Sequence, residues 1–520
     1  SKGPVNERSL ITSTQEFINI FGLPDPTVSM MHYGALSFLE ESGTLYVTRV
    51  VGTDTLTAGA YLTVDDPNAD QPILRLTNFD DGTSNPRGIS DPLNNLGFLA
   101  DDPAINNTLM YVVAANPGIW NNKIAVQIRP SNSIGINVGD GHDIYDFYVD
   151  VFYDYTGPRN HPVESFLVNR QNKTDGYGNQ LFIEDVINRK SNYIRVKNNP
   201  FCKQIKIVKT AFEFLDGATD GNAPTNFDIM KGWDLYTDPE QIDIALLINA
   251  GYTSPEVQLK MNELAELRKD CVALLDIPSL QQQTADAIAY RKGILNLDSS
   301  YSAIYTPDVK IKDPYNDIEL FVPLSGFAAA LCARTDHNTY LWNAPAGLNN
   351  GQLKVLELRH TYNQSARDAL DSANINMVRV FPGMGTAMWA QNTMQAKASS
   401  LSNLNVRRLL NYMEKRIANS SLYSVFETND RLLRAKLVSI IEAFLAPIKA
   451  NGGLLDYFVQ CDDNNNPVTA VASGNVIVDV YIDPTLPSKR IHLNATITKT
   501  GAVFRETTTN TTASGLSIQR

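Results

Sequence analysis

A multidomain chain that combines α+β and α/β architecture is predicted from three observations. At 520 residues the chain exceeds what one hydrophobic core covers, and about 150 residues per domain gives three or four folding units. Between Asp243 and Pro278 an apolar run, an amphipathic helix and a second apolar run follow one another, the pattern of a βαβ unit on a parallel sheet. Residues 52–105 are instead crowded with Thr, Asp, Asn, Gly and Pro around short apolar stretches, which predicts a small β-rich insertion. The expected organisation is a discontinuous middle α/β domain over 1–51 and 106–300, the insertion over 52–105, and a mixed C-terminal core domain over 301–520. Charge supports the last boundary: residues 301–520 carry 21 Lys or Arg against 18 Asp or Glu, a net of +3, which leaves −15 on residues 1–300.

The elements follow in order. Ser13 and Glu16 form a capping-box pattern ahead of Phe17, Ile20 and Phe21, with Gly22 as a stop. A second short helix is predicted over His32–Glu40 and a buried strand over Leu45–Val51. Short apolar stretches at Tyr61–Val64 and Ile73–Leu76 lie in the insertion. Alternating and β-branched runs at Ile124–Ile128, Tyr145–Tyr153, Leu181–Ile187 and Tyr193–Val196 read as strands. In the βαβ unit, Ile244–Ile248 leads into a helix opened by Ser254, Pro255 and Glu256 with Val257, Met261, Leu264 and Arg268 inward, followed by Val272–Ile277. Val406, Leu409, Leu410, Met413 and Ile417 recur at helical spacing over Asn405–Ile417, which places Arg407, Arg408 and Lys415 on the outer side. A longer helix spans Asp430–Ile448 and ends at Gly452 and Gly453. Strands at Asn475–Ile482 and Arg490–Thr498 close the pattern; the second alternates Ile491, Leu493, Ala495 and Ile497 with polar residues at period two. Residues 506–520 hold too few apolar side chains for a core of their own.

Composition excludes several function classes. The chain is 43% hydrophobic and 19% charged, and its apolar runs are too short to cross a bilayer as helices, so no membrane association is expected. Forty-four Lys and Arg against 56 Asp and Glu give −12, which offers DNA or RNA no overall attraction. Cys202, Cys271, Cys332 and Cys461 lie far apart, without a CxxC or disulfide framework, and are expected to be free and buried. The N-terminus shows no secretion signal and opens SKGPVNE without Met, so cytoplasmic synthesis and a trimmed start are expected.

Candidate chemistry is sparse. Asp462, Asn464 and Asn466 match the first ligand spacings of a calcium loop, but Pro467 and Ser473 stand where Gly and a bidentate Glu are needed, so an Asn/Asp turn is expected. Gly383 and Gly385 follow an apolar strand, yet Met388 holds the third glycine position of a dinucleotide fingerprint. The loop at Gly251 has no Lys-Ser or Lys-Thr phosphate cradle. The six histidines form no HxH or HExxH, and His142 in GDGHD reads as a surface turn. No GxSxG elbow precedes a helix. No enzyme, metal or cofactor is expected.

The basic stretch Lys397–Lys449 holds nine Lys or Arg against four acids. It reads either as solvated helix faces or as a docking face for an acidic partner. The last alternating strand, set apart by Pro484 and Pro487, either pairs within its own domain or completes the sheet of a neighbour.

The order of these segments resembles the contractile tail sheath proteins of bacteriophages. KGPVNERSLITSTQEFINIFG and HYGALSFLEESGTLYVTRVV resemble the start of that family, and PGIWNNKIAVQI its Pro-Gly-x-Trp turn, with Asn121 in place of the usual Gly. ESFLVNR, LFIEDVINRKSNYIRV and FEFLDGATDG resemble the segments that come next. YSAIYTPDVKI, VPLSGFAAALCARTDHNTYLWNAPAG, INMVRVFPGMGTAMWAQNT, NVRRLLNYMEKRI, VFETNDRLLRAKLVSIIEAFL and GGLLDYFVQCDDNNNP resemble the C-terminal portion, in the same order. Ala390 and Asn392 stand where many members carry Gly and Arg.

The resemblance implies a tail-sheath-like fold in which the insertion protrudes. It further implies a structural protein, not an enzyme, that polymerises as stacked hexameric rings around a tail tube and contracts to drive the tube through the host envelope. The implied partners are further copies of the chain, the tube, and baseplate and tail-terminator or neck proteins, without direct contact to nucleic acid or membrane; the implied place is the virion tail, assembled in the host cytoplasm. The Arg490–Thr498 strand, with Ile491, Leu493, Ala495 and Ile497, would join a sheet in an adjacent subunit. Arg407, Arg408, Lys415 and Arg416 are candidates for gripping an acidic tube. The alternatives are the sheath of a tailocin or injection particle and, in another class, a tail-associated binding module or enzyme.

Overall fold

The computed structural model describes residues 2–66, 72–78, 107–131, 142–155, 161–467, 469 and 475–487, together with backbone strands at 493–499, 502–508, 511–512 and 515–516. The chain forms two compact units, one of Ser1–Leu10, Phe17–Leu23 and Tyr46–Gly232, the other of Ile11–Glu16, Pro24–Leu45 and Trp233–Arg520.

In the first unit, strands β1 (Gly59–Val64), β2 (Leu74–Asn78), β3 (Thr108–Ala114), β4 (Ile124–Pro130), β5 (Phe147–Tyr153), β6 (Glu164–Val168), β7 (Ile194–Asn198) and β8 (Glu213–Phe214) make two antiparallel sheets, ordered β2-β1-β3-β7 and β8-β4-β5-β6. Alternation on these strands sends Leu62, Met110, Ile124, Ile128 and Phe147 into one shared core. Two expectations change here. Because β1 pairs with β3, which pairs with β7, the start of the expected 52–105 insertion is a central strand of a larger sheet; residues 79–106 lie outside the described residues. Leu181–Ile187 is not a strand, since Ile183–Lys190 is a helix. Ile183, Val186 and Ile187 are buried at i, i+3 and i+4, with Glu184 and Asp185 in the first turn and Arg189 and Lys190 in the last. That spacing and charge order favour a helix over the period-two reading.

The second unit is built on strands β9 (Leu246–Ile248), β10 (Val272–Asp276), β11 (Ser302–Thr306), β12 (Val309–Asp313), β13 (Ile318–Val322), β14 (Gln352–Leu353), β15 (Glu357–Leu358), β16 (Ile375–Phe381), β17 (Gly385–Met388), β18 (Leu454–Gln460) and β19 (Asp479–Pro484). Its main sheet runs β9-β10-β11-β16-β17-β14, parallel through β16 and antiparallel beyond. The βαβ expectation holds: β9 and β10 are parallel, and helix Pro255–Arg268 buries Val257, Met261, Leu264 and Arg268. The 300/301 boundary does not hold, because Ala273 pairs with Ser302 and Asp276 with Tyr305 across it. Net charge cannot report a backbone ladder, and the longest segment of this compact unit runs from Trp233 to Arg520.

Helices α1 (Met31–Leu39) and α2 (Ser325–Asn338) meet at two glycines: a Cβ on Gly326 would fall 2.4 Å from Cα of Gly34. Helices α3 (Leu404–Ser421) and α4 (Arg431–Ala450) bury Leu409, Met413, Ile441, Leu445 and Ile448 against Leu454 and Val459 of β18. Asp430 caps α4, its Oδ1 accepting from the Leu433 amide at 2.8 Å.

The Gly383–Gly385 segment is the turn of the antiparallel β16–β17 hairpin, with φ of +75° and +89°. Asp462 forms an Asx turn, accepting from the Asn464 amide at 2.9 Å, and buried Asn466 accepts from the Ile477 amide at 2.7 Å. His142 Nδ1 lies 3.0 Å from Asp146, whose carboxylate also accepts from Asn169 and Lys173. The four cysteines are free and buried.

Candidate functional site

The residues singled out from sequence fall on α3 and on the C-terminal strands. Leu404, Leu409 and Met413 anchor α3 inward at helical spacing. The same burial takes in two of the four cations expected on the outside. The side chains of Arg407 and Arg408 are 4% and 3% exposed. Arg407 donates from Nε to Asn411 at 2.7 Å and lies 4.3 Å from the Tyr301 ring; burial lowers its pKa. Arg408 is paired with Asp336 of α2. The basic outer face is therefore corrected: at the start of α3 both faces are covered, one by α4 and the other by the main sheet unit, and the long aliphatic stems of both arginines pack inside.

Lys415 lies at the rim of a cleft of ≈ 220 Å³, between Asp243 at 2.6 Å and Asp270 at 2.9 Å. Burial works against its charge, but the two aspartates outweigh it and raise its pKa. Arg416 is exposed, lies 5.4 Å from the Tyr412 ring, and has no ion pair among the described residues. Of the four candidates, only Lys415 and Arg416 thus reach the surface with a cationic head.

The strand expected at Arg490–Thr498 is observed as β20 (Leu493–Lys499), which pairs antiparallel with β21 (Ala502–Thr508), Leu493 opposite Thr508 and Lys499 opposite Ala502. Leu493, Ala495 and Ile497 fall within β20; Ile491 lies outside the described residues.

Two features that sequence reasoning missed bear on the site. One is β18, which pairs with β19 in a two-stranded sheet. The other is the connector between α3 and α4, where Leu422, Tyr423, Val425 and Phe426 are exposed and Phe426 fully so. The available signal was an apolar run, SLYSVF, in a connector where polar residues are the norm. Among the described residues, no group of three or more His, Cys, Asp or Glu could hold a metal ion.

Two family models match in succession: the phage tail sheath protein central domain over residues 222–394 and the phage tail sheath C-terminal domain over 396–498. The tail sheath protein of Vibrio phage KVP40 is 32% identical over 371 residues, covering 66% of this chain and 54% of that protein. That of Enterobacteria phage T4 is 31% identical over 365 residues, covering 66% and 55%. The chain spans about half the length of these curated relatives. The crystal structure of a sheath tail protein from Listeria innocua matches with a TM-score of 0.59 at 12% identity, covering 98% of this chain and 92% of that one, a likeness of fold. With two consecutive domain models spanning residues 222–498, the chain belongs to the phage tail sheath protein family.

Proposed function

We propose that the chain is a sheath subunit of a contractile phage tail, a structural protein that polymerises as stacked hexameric rings around the tail tube and contracts to drive it through a host envelope. The observation that carries this reading, beyond family membership, is the β18–β19 sheet. It has two strands, α4 covers one face through Tyr457, Val459, Val480 and Ile482, and neither outer edge has a partner strand among the described residues. A two-stranded ribbon is marginal alone, and its open edges present unpaired N–H and C=O groups.

An adjacent copy completes this sheet with the segment beyond Pro487. After pairing with β21, β20 keeps one edge for that purpose, and Leu493, Ala495 and Ile497, with Ile491, supply the face that packs. About five ladder bonds at roughly 0.5–1.5 kcal/mol net each hold neighbours together, while the chain between Pro484 and Pro487 lets the bodies turn. Contraction then draws on a difference in contacts between a trapped extended polymer and a better-packed one, without a nucleotide. Tube contact is proposed for the exposed end of α3 at Lys415 and Arg416. Baseplate and tail-terminator proteins are the further partners, in a virion tail assembled in the host cytoplasm.

Electron micrographs of the purified chain, with and without tube protein, test the reading. Hollow cylinders are expected from the full chain and only discrete soluble species from a chain ending at Pro487. Cylinders from the truncated chain would refute strand exchange; their absence from the full chain under both conditions would refute the sheath reading.

A further inference from the structure

Every Lys and Arg on α3 and α4 except Arg416 lies within 4 Å of a carboxylate among the described residues. What this helical hairpin presents without a partner is apolar. Leu422, Tyr423, Val425 and Phe426 form its tip, and Leu432 in the first turn of α4 is exposed as well. The tip is a built turn: the Val425 amide donates to Leu422 O at 3.2 Å and the Glu427 amide to Ser424 O at 3.4 Å. Phe426 holds a φ of +72°, a left-handed conformation that a bulky residue seldom adopts, with its ring wholly in solvent. Arg416 precedes the tip by less than two helical turns.

A matching surface lies on the same unit. On the face of β18–β19 turned away from α4, Phe458 stands opposite Tyr481 and Asp456 opposite Asp483. The rings are stacked at 6.1 Å, and 59% and 57% exposed. Like charges directly across a ladder destabilise it. Lys449 pairs with Asp456 at 2.6 Å, but Asp483 has no ion pair among the described residues. An aromatic pair beside an unneutralised acid complements an apolar tip beside an unneutralised cation.

We propose that, in polymers of the chain assembled without a tube, the Leu422–Phe426 tip of one copy docks on the Phe458–Tyr481 face of a second copy, with Arg416 meeting Asp483. The two surfaces occupy different places on one unit, so the contact is heterologous and propagates from copy to copy instead of closing a dimer. Each buried aromatic contributes about 150–250 Å², so the contact falls short of the roughly 800 Å² per partner of a stable pair and acts as a repeated addition to strand exchange. Arg416 would exchange the tube for the neighbour when the tube leaves. The inference rests on the sheath reading insofar as copies must stack.

The test is a charge swap in the full chain, read by sedimentation of tube-free polymer. Arg416→Asp and Asp483→Arg each lower the polymer yield about tenfold, and the double variant restores most of it. Phe426→Ser lowers it as well, while the unfolding midpoint of the unassembled chain stays at the wild-type value. A chain carrying Phe426→Cys and Phe458→Cys gives inter-chain ladders with a short bis-maleimide. Wild-type polymer with single variants that polymerise equally, and no ladders, overturns this contact and leaves the sheath reading intact. Tip variants that act only when tube protein is present assign the tip to the tube and overturn it too. A full chain that forms no polymer with or without tube overturns both.

Discussion

Arg408 on α3 and Asp336 on α2 form an ion pair in which the arginine side chain is 3% exposed and the aspartate 35%. The pair joins the helical hairpin to the helix that packs with α1, which makes the cation a structural clamp. Breaking such a pair from one side leaves a buried charge without its partner. Asp336→Ala is therefore expected to destabilise the chain by about 3 kcal/mol, the lower end of the range because Asp336 is partly hydrated. Arg408→Met should cost less, since it removes the charge together with its desolvation. Denaturant unfolding of both variants checks the order.

Gly326 offers a contest of two effects. Alanine in a helix is favoured over glycine by about 1 kcal/mol, but its Cβ would lie 2.4 Å from Gly34 Cα and 2.9 Å from Gly34 O. Overpacking against backbone costs roughly 1–3 kcal/mol or more, so Gly326→Ala should destabilise on balance. A fall in the thermal midpoint is expected; a rise would show that α1 moves aside freely.

Asp276 is buried at the end of β10, where it accepts from the Ser325 hydroxyl at 2.6 Å, the Ser325 amide at 2.8 Å and the Gly251 amide at 3.1 Å. Burial pushes its pKa up to about 7, ahead of the lowering by Ser325. The folded chain therefore binds more protons here than the unfolded chain between about pH 4 and 7. This group's contribution is present at the acid end of that window and lost as pH rises through about 7. Asp276→Asn should flatten the decline in stability between pH 5 and 7.5, measured by urea unfolding at each pH against the wild type.

The thiols give a simple check on the core. All four are buried, and burial pushes Cys271 up to about 12 and Cys332 to about 11. Thiolate is the reactive species, so a disulfide reagent at pH 8 should label none of them in the native chain and four after denaturation. Rapid labelling of Cys271 or Cys332 in the native state would contradict the packing of α2 and β10.

How much was legible depended on whether a feature is local. The βαβ unit could be read because Ile244–Ile248, the Ser254–Pro255 opening and the buried positions 257, 261, 264 and 268 all lie within one window of sequence. The turn at Asp462 is local for the same reason. Leu181–Ile187 was misread because a short apolar run carries both periods, and Ile183–Lys190 is a helix.

By itself the sequence determined the βαβ unit, the helices around Phe17, Met413 and Leu437 and several of the strands, the want of any local catalytic or metal motif, and the ordered segments by which it resembles tail sheath proteins. Only the tertiary structure decided that β10 pairs with β11 across residue 300, that Arg407 and Arg408 lie inside, and that Phe426 and Phe458 remain outside. Periodicity marks one face of an element, but burial of the opposite face depends on segments distant in sequence that pack against it, and no single window contains them.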